Sequence, residues 1–133
     1  MKEISVIVVA MLAKRKHSQT IKAMEAKSST DEPQTITAQE ALEYMRSNRE
    51  YALVDVRMPE EYSMGHIPGA INIPLETIVT EKLAELPNLN QVILVYCHGG
   101  SRSQKAGQRL KRIGYTKVYC FGGIDTWTGS IVK

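Results

Sequence analysis

The chain is poor in the residues that build disulfide frameworks, metal sites and membrane spans. It has two cysteines and three histidines in 133 residues. Two cysteines make no disulfide framework, so free thiols are expected. Nothing around His66, between Gly65 and Ile67, has the spacing of metal ligands, and no metal and no cofactor are expected. The longest apolar stretch, residues 4–13, is ten residues long, where a bilayer span needs ~20. A strong excess of one charge is also missing. The net charge is +3, too little to argue for nucleic acid. Residues 1–32 carry six basic and four acidic side chains, and residues 33–133 carry eleven and ten. The body of the chain is therefore close to neutral. There are no internal repeats and no low-complexity tract.

What remains is ordinary for one soluble domain: 43% apolar and 23% charged residues, in a length that suits one core and not two. Residues 1–33 read as an apolar and basic segment ending in a linker, Ser28-Ser29-Thr30-Asp31-Glu32-Pro33. The segment fits an extra helix or arm, a degraded signal or membrane-surface anchor touching lipid through residues 4–13, or an artefact of the gene start. Its charges lie on the wrong side of the apolar stretch for a secretory signal, and no small-x-small cleavage site is evident. Location is left between the cytoplasm, which is favoured, and a signal or membrane association.

Residues 34–133 alternate strands and helices. Thr35-Ile36 reads as a short strand. Thr37-Ala38-Gln39-Glu40 is a capping box opening a helix to about Ser47, with Ala41, Leu42 and Met45 at core spacing. Residues 51–56 form a buried-type strand, and Pro59 suits the start of a helical turn. Residues 65–69 form a loop and 70–73 a short strand. A helical segment is expected within 75–86. Residues 91–96 make the central strand, 101–113 a helix stopped by Gly114, and 117–121 the last strand, after which Gly122-Gly123 turns the chain. Strands separated by helices imply an α/β fold with a mainly parallel sheet and helices on both faces. Ligands of such sheets bind beyond the C-terminal strand ends.

The segment Val95-Tyr96-Cys97-His98-Gly99-Gly100-Ser101-Arg102-Ser103 lies at such an end. A strand delivers Cys97, two glycines allow a tight curl, and a helix then starts with unpaired N–H groups. The N–H groups of residues 98 to 102, the positive helix end and Arg102 form an anion nest. There Cys97 is expected to ionise more readily than a free thiol, whose pKa is about 8.5. The loop is C-x4-R, one residue shorter than the C-x5-R that cysteine phosphatases wrap around phosphate. The tighter loop favours transfer of one sulfur atom over phosphoryl transfer. A phosphatase or oxyanion reductase and a non-catalytic binding module stay as alternatives.

These residues resemble the rhodanese-like sulfurtransferases in single-domain form. Three blocks carry the likeness, from about Thr35 to Trp127. They are Val54-Asp55-Val56-Arg57-Met58-Pro59-Glu60-Glu61-Tyr62, then Gly65-His66-Ile67-Pro68-Gly69-Ala70-Ile71-Asn72-Ile73-Pro74, then the cysteine segment with Phe121-Gly122-Gly123-Ile124 and Trp127. The resemblance implies a three-layer fold around a five-stranded sheet and a ping-pong reaction. Cys97 would take the outer sulfur of thiosulfate and release sulfite. The Cys97 persulfide would pass that sulfur to cyanide or a thiol, with His98, Gly99, Gly100, Ser101, Arg102 and Ser103 binding the substrate. The implied partners are a small sulfur-containing anion, a thiol or cyanide acceptor and a sulfur-carrier protein, with the chain a monomer. His98 departs from relatives with arginine or lysine there, replacing a fixed charge by one that titrates near neutrality. Its ring is expected either beside Cys97 or in solvent.

Asp55 and Arg57 read as structural residues near the site, Asp55 accepting loop hydrogen bonds and Arg57 pairing with Glu60 or Glu61. His66 reads as a loop brace. Arg102, Lys105, Arg109, Lys111 and Arg112 share a helix without an acidic residue. Cys120 reads as a half-buried strand cysteine, or as a thiol able to resolve a Cys97 persulfide if the sulfurs approach. Trp127 packs the C-terminal segment.

Overall fold

In a computed structural model, residues 32–133 are described. The apolar stretch 4–13 and most of the linker lie outside them. The strands are β1 (Gln34–Thr35), β2 (Ala52–Asp55), β3 (Ile71–Asn72), β4 (Val92–Cys97) and β5 (Lys117–Gly123). The helices are α1 (Ala38–Ser47), α2 (Pro59–Met64) and α3 (Ser101–Ile113). Single 3-10 turns occupy Leu75–Thr77 and Ile124–Thr126. The five strands form one sheet in the order β1-β5-β4-β2-β3, and every neighbouring pair is parallel.

β4 lies at the centre, and all six of its residues are buried. Successive side chains of a strand point to opposite faces, which sorts the core into two halves. Ile93, Val95 and Cys97 of β4 join Val118 and Cys120 of β5 beneath Ala106 and Leu110 of α3. Leu94 and Tyr96 join Tyr119 and Phe121 on the other face, with Ala41 of α1 and partly buried Tyr62 of α2. Cys97 therefore faces α3, the helix that its own loop begins.

The α1 capping box forms as read: Thr37 Oγ1 accepts from Glu40 N–H at 3.0 Å and the Glu40 carboxylate accepts from Thr37 N–H at 2.9 Å. Pro59 opens α2, whose first turn is also closed by a carboxylate, Glu61, accepting from Met58 N–H at 3.0 Å. Gly114 ends α3 with φ 126°, its N–H returning to Leu110.

Two expectations are corrected. The helical segment within 75–86 reduces to the 3-10 turn Leu75–Thr77. Ile78 and Leu86 are fully buried, and the hydroxyl of Tyr115 accepts from Leu83 N–H at 2.9 Å and donates to the Leu86 carbonyl at 2.7 Å. A side chain thus supplies the partners that a helical ladder would have given. Gly122 and Gly123 do not leave the sheet either. They belong to β5, and Gly123 pairs with Cys97 across a register irregularity after Val95.

Candidate active site

Cys97 is the last residue of β4 and is 1% exposed. Its sulfur is not sealed among apolar atoms. Sγ accepts the N–H of Gly100 at 3.0 Å and that of Ser103 at 3.4 Å. Gly100 makes this possible: at φ 114° it turns the chain back over the sulfur and becomes the N-cap of α3, a conformation that favours glycine. Ser103 lies in the first turn of α3, where N–H groups have no intrahelical acceptor. Of the N–H groups of residues 98 to 102, that of Gly100 bonds the sulfur, and Ser103, one residue beyond that range, supplies the second bond.

The end of β5 closes the loop from behind. The Gly123 Cα lies so near the His98 carbonyl that a Cβ there would overlap it. Ser103 is fully buried, and its hydroxyl donates within 2.9 Å of the Gly100 carbonyl and 3.2 Å of the Gly122 carbonyl. It braces the loop through these two carbonyls. His98, Gly99 and Ser101 are exposed and Gly100 is half-buried. Of the two places expected for His98, the exposed one is found.

Arg102 is half-buried and bidentate to Glu61 of α2, at 2.7 and 3.0 Å. This pair fixes the mouth of the loop to α2. The Arg102 hydrogen bond is the main reason that the Glu61 carboxyl falls from 4.5 to about 2, against a smaller opposing effect of burial. Arg57 consequently does not pair with Glu60 or Glu61. It turns back on Asp55, with Nη2 2.8 Å from Oδ2, and also donates to the Gly65 carbonyl at 2.7 Å. Asp55 accepts the Arg57 N–H as well, at 2.9 Å. Both are buried, so the pair is structural, holding the loop after β2. Asn72 holds the same loop through the Asp55 and Arg57 carbonyls. His66 braces the loop before β3: Nδ1 lies 2.8 Å from the Tyr62 carbonyl and the ring stacks on Tyr62 at 3.7 Å. Trp127 packs near Phe121, with ring centroids 5.9 Å apart.

Cys120 is fully buried, not half-buried, and its Sγ lies 3.2 Å from the Ser103 carbonyl. Burial first, and the nearness of Cys97 second, push its thiol up to about 12. Both cysteines are free. Ser103 therefore touches both sulfurs, its N–H on Cys97 and its carbonyl on Cys120. Among the described residues no group of three or more His, Cys, Asp or Glu is placed to hold a metal ion, and no helix is long and apolar enough to cross a membrane.

Residues 37–130 match the model of the rhodanese-like domain family. The chain belongs to this family. The rhodanese-like domain is 41% identical over 71 residues to the thiosulfate sulfurtransferase PspE of Escherichia coli K12, covering 53% of this chain and 68% of PspE. It is 40% identical over 84 residues to Bacillus subtilis YrkF, whose name is that of a sulfur carrier protein, covering 62% of this chain and 44% of YrkF. The chain thus spans less than half of that relative. A solved structure described as a rhodanese with anions from E. coli superposes with a TM-score of 0.58 at 39% identity, covering 62% of this chain and 98% of the other. These matches set the domain among proteins named for moving or carrying sulfur.

Sequence reasoning missed three contributors. Glu61 reads as a partner of Arg57, but its carboxylate folds back onto the Met58 N–H and pairs with Arg102. Gly123 reads as a turn residue when its task is close approach. Asp125, whose N–H meets the His98 carbonyl at 3.2 Å, carries no sequence signal.

Proposed function

We propose that this rhodanese-like domain is a sulfurtransferase that carries a sulfane sulfur as a persulfide on Cys97. The observation that carries the reading is the Cys97 sulfur at a strand end with the N–H groups of Gly100 and Ser103 aimed at it. The thiolate is the nucleophile in this chemistry, and these two N–H groups are placed to hydrogen-bond it. The Cys97 thiolate attacks the outer sulfur of a donor, which is thiosulfate, a persulfide or a polysulfide. A sulfur–sulfur bond forms to Cys97, the donor's own bond to that sulfur breaks, and sulfite or a thiolate leaves with the electron pair. In the second half, cyanide or a thiolate takes the outer sulfur and Cys97 leaves as thiolate. No electron is supplied from outside, and the scheme uses no cofactor or metal.

The remaining N–H groups of the first turn of α3, those of Ser101 and Arg102, are suited to the charge of the persulfide's outer sulfur. Arg102 acts mainly through Glu61, by holding the mouth open at one width. The names of PspE and YrkF support sulfane-sulfur transfer, with a sulfur-carrier protein among the partners.

Intact-protein mass spectrometry tests the reading. The full chain incubated with thiosulfate or a persulfide should gain the mass of one sulfur, removed by cyanide as thiocyanate. Cys97→Ala should neither gain sulfur nor form thiocyanate. A wild-type chain that stays at its unmodified mass with every donor would end the proposal, and turnover of an aryl phosphate would replace it.

A further inference from the structure

The loop around Cys97 has a carboxylate at its outer edge that no step above uses. Asp125 lies in the 3-10 turn Ile124–Thr126, directly after β5. Its N–H bonds the His98 carbonyl at 3.2 Å, which ties this turn to the loop. Its carboxylate faces Gly99: a Cβ built on Gly99 would lie 3.8 Å from Asp125 Oδ2. The loop's fixed cation does not offset this charge, because Arg102 is matched by Glu61 at 2.7 Å. Asp125 is exposed, as are the remaining basic side chains of this region, His98 and Lys105, so solvent and salt screen all three alike and the effect of Asp125 is the local one of a carboxylate beside Gly99.

We propose that Asp125 is a specificity-determining residue that turns the site away from dianionic sulfur donors and toward donors of one negative charge, the class of small-thiol persulfides. The inference rests on the sulfurtransferase reading. The repulsion between a fixed carboxylate and an approaching anion scales with the anion's charge. A donor of charge −2 therefore meets twice the opposition of a donor of charge −1 at the same position. The effect acts on encounter and binding, which surface potentials control, and so on KM before kcat. The covalent step is the same for both. Thiosulfate gives Cys97 its outer sulfur and leaves as sulfite. Methanethiosulfonate gives the equivalent sulfur and leaves as methanesulfinate. Each breaks one sulfur–sulfur bond and forms one, with charge conserved. The two donors thus differ in charge while sharing the chemistry.

The experiment measures kcat/KM for both donors, with cyanide as acceptor, in the full chain and in Asp125→Asn and Asp125→Glu. Asp125→Asn should raise kcat/KM for thiosulfate about fivefold through a lower KM, and for methanethiosulfonate by about twofold or less. The gap should shrink as salt rises toward about 0.5 M, and Asp125→Glu should keep the wild-type preference. Equal changes for both donors, or none, in a variant that still loads sulfur on Cys97 would overturn the role of Asp125 and leave the sulfurtransferase reading intact. If no variant loads sulfur from either donor, that reading fails and this inference falls with it.

Discussion

At the scale of the residue, two glycines of the site have opposite requirements. A Cβ on Gly123 would overlap the His98 carbonyl, while one on Gly99 would meet nothing nearer than Asp125 Oδ2 at 3.8 Å. The contact at Gly123 is backbone on backbone, so neither partner has a rotamer to move aside. Gly123→Ala must therefore push the loop off the end of β5, carrying the Gly100 and Ser103 N–H groups away from sulfur. The cost should be about 3 kcal/mol in denaturant unfolding, in the range of overpacked cores, with slower sulfur loading of Cys97. Gly99→Ala should stay within about 0.5 kcal/mol of the parent, as surface changes do. Equal stabilities for the two variants would show that the loop is not pressed against β5.

At the scale of the element, what the sequence disclosed follows the distance between partners. The Cys97 loop was legible because its chemistry is local: the donors on the sulfur come from residues three and six positions later. The α1 cap was legible for the same reason, with both bonds spanning three residues. Arg102 reads as an anion binder, but its partner Glu61 lies 41 residues away and no local pattern announces it. The segment 75–86 reads as helical, while the group that decides its path after the 3-10 turn, the Tyr115 hydroxyl, comes from 32 residues beyond Leu83. That hydroxyl is one pin for a stretch without a ladder of its own. Tyr115→Phe leaves the Leu86 carbonyl and Leu83 N–H without it, at about 1–3 kcal/mol. Limited proteolysis should then cut within 79–85 sooner than in the parent. Unchanged cleavage there would mean that the burial of Ile78 and Leu86 alone fixes the segment.

At the scale of the whole molecule, covering both faces of the sheet gives the fold an alkaline limit. Cys120 lies on β5 beneath α3, fully buried, and its thiol rises from 9.0 to about 12 because burial and the neighbouring Cys97 disfavour its charge. A folded-state pKa above the unfolded one means that the folded chain holds its proton more tightly. This contribution to stability is complete below about pH 9 and declines as pH climbs toward 12. The slope from one such group is at most about 1.4 kcal/mol per pH unit. Tyr96, whose hydroxyl burial also raises, adds to the loss in the same region, so the total curve cannot assign it. The difference between the parent and Cys120→Ala can, since Tyr96 is common to both. Denaturant unfolding of each at intervals from pH 8 to 11 should show the parent losing stability relative to Cys120→Ala as pH rises, whatever their offset at pH 8. Parallel curves would mean that the Cys120 thiolate is tolerated in the folded chain and that the space under α3 admits water.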